Sequence, residues 1–274
     1  MDKAGPIGVF DSGYGGLTVL KELVRTMPQY DFLYLGDNAR APYGPRSFES
    51  IYEFTLQGVK HLFEEGCSLV VLACNTASAE ALRTIQQKDL PIIAPNKRVL
   101  GVLRPTTEEV ESYTKSGEIG IMGTQGTVRS RSYVIEIEKF FPEIIVHQQA
   151  CPMWVSLVEN CELEGPGATH YVKKYLEELM SKSAHIDAIF LACTHYPLLY
   201  QLIRQEVSPS VGIYSQAEIV APKLITYLQR HLEIDALCLK NGDLAFLTTD
   251  NAETFQEKAR LFFGRELQAK RIKL

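Results

Sequence analysis

The sequence predicts an α/β protein made of two related domains, with mostly parallel sheets and a site between them. Three observations carry this expectation. Short apolar runs alternate with amphipathic stretches of helical period, the pattern of βαβ units. The runs "IGVF", "FLYL", "LVVLA", "IGIM" and "AIFLA" lack polar alternation, as strands do when helices cover both faces of their sheet. The opening design also restarts midway: Gly8 in its strand recurs as Gly120, and Cys74 after its strand recurs as Cys193, at nearly one spacing.

Taken in order, residues 6–27, "PIGVFDSGYGGLTVLKELVRTM", read as strand, glycine-rich turn and helix. Residues 31–44 read as a strand and a loop, 47–66 as a helix, 67–73 as a strand, 75–87 as a helix and "PIIA" at 91–94 as a short strand. The second half opens with residues 117–140, again strand, small-residue loop and helix. The chain after 211 has its own strand and helix, and residues 244–264 close with a strand, an Asp/Asn turn and a helix. The expected division is residues 1–98 with 211–274 for a first domain carrying Cys74, and 99–210 for a second carrying Cys193. No Pro/Gly/Ser-rich linker separates them, so the domains are expected to pack face to face over a ligand cleft.

Composition narrows the functional classes. With 46% apolar and 22% charged residues in 274, the chain has the make-up of a folded globular protein and not of a disordered one. A net charge of -5 supplies no global basic field for nucleic acid. No run approaches the roughly 20 apolar residues that span a bilayer, and "MDKAGPIGVFDSG" has no export signal, so no membrane role and a cytoplasmic location are expected. Six cysteines are too sparse for a disulfide scaffold and are expected to be thiols. His147 and Cys151 have the spacing of one helical turn, but without further ligands ordinary packing accounts for them better than a metal.

The chemistry concentrates in "LACNTASAEAL" and "LACTHYPLL". In an open parallel sheet, ligands bind beyond the carboxyl ends of the strands, where Cys74 and Cys193 both fall. Either cysteine alone reads more readily as a buried structural residue. Two at equivalent points of two related domains favour reactive thiols, which a helix N-terminus is expected to lower from about 8.5 toward neutrality. Opposed thiols suit inversion of a carbon stereocentre, where a proton leaves one face and another arrives on the opposite one.

Other residues fall around the same point. Asp11 and Ser12 end the first strand, and Gly13, Gly15 and Gly16 permit close backbone approach; an acidic residue there would repel phosphate and attract an ammonium group. Asn75 and Thr76 follow the first thiol as natural capping residues, and Thr194 and His195 follow the second ahead of Pro197. Tyr43 and Gly44 lie in the turn "APYG", and Thr124 and Thr127 in the corresponding turn of the second repeat. His195 is placed as a proton partner for Cys193, and Glu159 either orients that imidazole or is a solvated carboxylate.

The stretches "GVFDSGYGGLTVL", "YLGDNARAPYGPRS", "LACNTASAEAL", "GIMGTQGTV", "CPMWVSLVE" and "LACTHYPLL" together resemble the glutamate racemase family of cofactor-independent amino-acid racemases. They run in that family's order over essentially the whole chain. The resemblance implies two flavodoxin-like, three-layer domains around a buried site that interconverts L- and D-glutamate, supplying D-glutamate for peptidoglycan. It implies Cys74 and Cys193 as the acid/bases, with Asp11 assisting the first and His195 with Glu159 the second. It also implies that Asp11, Ser12, Tyr43, Gly44, Asn75, Thr76, Thr124, Thr127, Thr194 and His195 bind the amino acid. Neither metal nor pyridoxal phosphate is implied, and a homodimer is a family expectation. The chain departs from the usual pattern at Ser156, where proline is common, and at Arg104 and Thr106, where a Pro-Gly turn is more typical. Rival readings are an aspartate or other racemase of the same fold, a Cys193–His195 hydrolase that leaves Cys74 idle, and an amino-acid binding protein without catalysis.

Overall fold

A computed structural model describes residues 3–274. Its strands are β1 (Ile7–Asp11), β2 (Phe32–Gly36), β3 (Leu69–Leu72), β4 (Arg98–Gly101), β5 (Glu118–Gly123), β6 (Ile145–Ala150), β7 (Ala188–Ala192), β8 (Gly212–Ser215), β9 (Leu244–Thr248) and β10 (Ala269–Arg271). They form two all-parallel sheets, in the orders β10-β9-β2-β1-β3-β4 and β6-β5-β7-β8.

The second sheet repeats the β2-β1-β3-β4 order of the first, so the internal repeat in the sequence is also a repeat of topology. This is the flavodoxin-like strand order, whose switch point lies beside the first strand of each half. Strands β1, β3 and β7 are buried along their whole length, which is why they read as continuous apolar runs. The helices that cover them follow their apolar spacing. Phe48–Glu64 buries Ile51, Thr55, Gly58, Val59 and Leu62, a single stripe of helical period, and begins at Ser47, whose side chain accepts from the Ser50 N–H.

Three sequence expectations change. "PIIA" is not a strand: Leu90–Ile93 is helical, with Pro91 in its first turn, Leu90 buried and Ile92 turned to solvent. The strand in that region is β4, which pairs with β3, so a division between 98 and 99 would cut through a strand of the first sheet. Likewise β8 pairs with β7, so residues 212–215 belong to the second sheet, and the chain returns to the first only through β9 and β10. Both displaced strands lie at or next to sheet edges and are short, which weakens their pattern. His147 lies on β6, where helical spacing to Cys151 does not apply, and its Nε2 is 2.8 Å from Glu118 Oε2.

Candidate active site

Parallel pairing aligns the carboxyl ends of β1 and β3 in one half and of β5 and β7 in the other. Asp11 ends β1 opposite Gly36 of β2, and Cys74 lies two residues past Leu72, the end of β3. Cys193 follows Ala192, the end of β7, and Thr124 follows Gly123, the end of β5. The doubled topology thus brings two thiols to equivalent places, and both line one small cavity between the halves. Its volume is about 20 Å³, on the scale of a single water centre.

Cys74 caps the helix Asn75–Glu80, its Sγ accepting from the Ala77 N–H at 3.5 Å and donating to Ser12 Oγ at 3.4 Å. The expected lowering of this thiol does not hold. Burial, reinforced by the neighbouring Asp11 carboxyl, pushes Cys74 up to about 12, beyond what Ser12 and the Ala77 N–H offset. Asp11 is itself raised by burial, against the opposing pull of His195 and the Gly13 N–H. Its Oδ2 accepts from Gly13 N at 2.9 Å, while Oδ1 is buried with no partner among the described residues.

The second thiol has a different environment. Cys193 Sγ is 3.8 Å from His195 Nδ1, and His195 Nε2 is 3.0 Å from Glu159 Oε1. Burial alone would pull His195 down, but its hydrogen bonds to Cys193 and Glu159 prevail and push it up to about 10. At neutral pH the imidazole is therefore a cation between a sulfur and a carboxylate. The ring of Phe262, on the C-terminal helix Ala252–Phe263, meets it edge-on at 5.4 Å. Past Cys193 the chain forms a 3-10 turn, Tyr196–Leu199, before the helix Tyr200–Glu206, so this thiol is not itself a helix cap.

Hydroxyl and amide groups make up much of the rest of the lining. Ser12, Asn75 and Thr76 come from the first half, Thr124 and Thr194 from the second, and Thr76 Oγ1 meets Thr124 Oγ1 across the divide at 2.8 Å. Tyr43 and Gly44 close the rim, and Gly44 O accepts from Gly126 N at 2.9 Å, a second link between the halves. Glu159 and His195 also line the cavity. Of the expected site residues, Asp11 and Thr127 do not. Asp11 is buried beneath the first thiol, and Thr127 supports Thr124, their hydroxyls 3.1 Å apart.

Sequence reasoning missed three participants. Pro42 and Val155 line the cavity, and nothing in their type distinguishes them from turn and core residues. Asp37 is fully buried and holds the loop that carries Tyr43. It accepts from the Tyr43 hydroxyl, from Arg40 Nε at 2.7 Å and from Thr249 Oγ1 at 2.8 Å. The signal for it was the acidic residue in "GDNARAPYG", ahead of a turn that needs an anchor.

A doubled parallel α/β fold that turns paired strand-end thiols toward one polar cavity defines the class, and the chain belongs to the Asp/Glu/Hydantoin racemase family, whose family model matches residues 7–222. Comparison with particular proteins narrows this further. The chain is 38% identical over 262 residues to a glutamate racemase of Bacillus cereus, covering 96% of this chain and 94% of the relative. Its fold matches the crystal structure of a glutamate racemase isoform from Bacillus anthracis with a TM-score of 0.89, at 35% identity over 99% of this chain and 98% of the other. It also matches a glutamate racemase from Francisella tularensis in complex with D-glutamate, TM-score 0.87, at 31% identity over 100% and 98% of the two chains.

Proposed function

We propose that this protein interconverts L- and D-glutamate, with Cys74 and Cys193 as opposed acid and base, and so supplies D-glutamate for peptidoglycan. The observation that carries the reading is the pair of thiols lining one cavity from equivalent strand ends of the two halves. Full-length similarity to glutamate racemases supports the choice of substrate.

In this reading one cysteine acts as thiolate and the other as thiol. The thiolate takes the Cα proton, the C–H pair is left on Cα and spreads into the substrate carboxylate, and the opposing S–H delivers its proton to the other face. The two sulfurs thereby exchange protonation states. Hydroxyl and amide donors of Ser12, Asn75, Thr76, Thr124 and Thr194 hold the substrate carboxylates. His195, cationic at neutral pH, returns protons to Cys193. Asp11, buried beneath Cys74 and off the cavity, assists that sulfur through its charge, which makes the Cys74 thiolate more basic.

Incubation of the purified chain with L-glutamate and no added cofactor tests this. The expected outcome is loss of optical rotation to an equal mixture of enantiomers, with aspartate turned over far more slowly. Persistent rotation in folded protein would reject the reading.

One backbone position is held open for this chemistry. A Cβ at Gly15 would lie 2.2 Å from Thr194 Oγ1 and 2.5 Å from His195 Nδ1. Gly15→Ala is expected to cost about 1–3 kcal/mol by overpacking and to lower turnover by about tenfold or more, because the clash moves the imidazole off Cys193. Thermal melts and steady-state rates check the two effects separately.

A further inference from the structure

Behind the first thiol lies a closed ring of polar side chains, of which the mechanism above uses only Asn75. Asn75 immediately follows Cys74, Tyr133 lies on the helix Ser132–Phe140 of the second half, and Gln216 opens the helix Gln216–Arg230 after β8. Thr106, on the helix Leu103–Thr107 joining the halves, borders the ring. All four residues are buried, Gln216 at 3% exposure and the other three no more exposed than that.

The direction of every hydrogen bond in this ring follows from one carbonyl. Val102 O can only accept, and Thr106 Oγ1 donates its single hydrogen to it at 3.1 Å. Thr106 then has only a lone pair for Gln216, so the Gln216 Nε2 side faces it, at 3.1 Å. The other Nε2 hydrogen goes to the Tyr133 oxygen, whose own hydrogen goes to Asn75 Oδ1 at 2.7 Å. Asn75 Nδ2 in turn donates to Gln216 Oε1. Turning either amide around would set acceptor against acceptor, which is costly in a dry interior.

We propose that Gln216 is a positioning residue of the site: through this ring it fixes the sense of the Asn75 amide, so that Asn75 offers the substrate an N–H and not a carbonyl oxygen. Asn75 lines the cavity, its oxygen is engaged by Tyr133, and one Nδ2 hydrogen is left uncommitted by the ring. A donor there suits a carboxylate; a reversed amide would repel it. The inference rests on the proposed glutamate reading.

Steady-state kinetics of the full chain with L- and D-glutamate test it, alongside thermal melts. Gln216→Met keeps the volume and removes the polarity. It is expected to raise KM about tenfold or more in both directions, the scale of one hydrogen bond to a charged group, with kcat changed by less than about threefold. Adding Tyr133→Phe removes the hydroxyl left without its donor, so the double variant is expected to regain Tm while KM stays high. A merely structural role predicts otherwise, since loss of folded protein lowers apparent kcat and leaves KM alone. KM within about twofold of wild type in folded Gln216→Met, or KM recovering together with Tm in the double variant, would overturn the proposal. If Gln216→Met alone does not fold, the double variant decides: a KM raised about tenfold or more supports the role of Gln216, and a KM within about twofold of wild type overturns it. Failure of the glutamate reading is distinguishable, because wild-type protein would then not racemise at all.

Discussion

Cys74→Ala and Cys193→Ala are each expected to lower racemisation in both directions by about two to four orders of magnitude, the range carried by a positioned acid or base. The reason is symmetry. Each cysteine is the base for one enantiomer and the acid for the other, so neither direction survives the loss of either sulfur. The variants are expected to differ in what they retain. With only Cys193 left, solvent exchange of the Cα proton persists for the enantiomer whose C–H faces Cys193; with only Cys74 left, it persists for the other. Removing one buried sulfur costs about 1 kcal/mol of packing, so both variants remain folded. Proton NMR in deuterated water, run separately on each enantiomer, reads the exchange. Exchange of the same enantiomer by both variants would contradict the assignment of opposed faces.

His195→Asn is expected to lower kcat/KM by about 10²-fold, and by the same factor for L- and D-glutamate. Equality is required because the enantiomers have equal free energy, so any asymmetry must appear in kcat and KM separately and cancel in their ratio. The pH dependence follows from the raised histidine. Folding lifts His195 from 6.5 to about 10, so its stabilising contribution is fully present below pH 6.5 and is lost as pH rises to about 10. The stability difference between wild type and His195→Asn should therefore shrink steadily over that window in denaturant melts. Cys74, lifted from 9.0 to about 12, weakens the fold in the same direction above pH 9 but is common to both proteins and drops out of the comparison. Glu159→Gln removes one of the groups that raises His195 and should move the alkaline fall in activity to lower pH.

What the sequence disclosed depended on burial. Strands β1, β3 and β7 lie where helices cover both faces, so "IGVFD", "LVVL" and "AIFLA" announce themselves and lead to the strand-end cysteines. Strands β6 and β8 are partly exposed, as "IVHQQA" and "GIYS" reflect, and a mixed composition at a sheet edge carries little periodic signal. "PIIA" misled for the converse reason: an apolar run at a helix end, with Ile92 in solvent, is not distinguished from a strand by composition.

The electrostatics were less legible than the placement. The strand-end rule put Cys74 just past β3, where the chain has it, but its thiol is raised because a three-dimensional cost, burial beside Asp11, outweighs a local benefit visible in the chain. Gln216 was invisible for a related reason. "YSQAEIV" holds no catalytic pattern, and the partner that gives its amide a role, Asn75, is 141 residues away in the sequence.

The central claim is that two sulfurs act on one carbon from opposite sides, and early-time isotope incorporation in deuterated water tests it most directly. With L-glutamate as substrate, the D-glutamate first formed should carry deuterium at Cα while the unreacted L-glutamate keeps its hydrogen, because the incoming proton comes from a sulfur other than the one that received the outgoing proton. D-glutamate that retains the original hydrogen, or deuterium appearing equally fast in the remaining L-glutamate, would show a single group serving both faces.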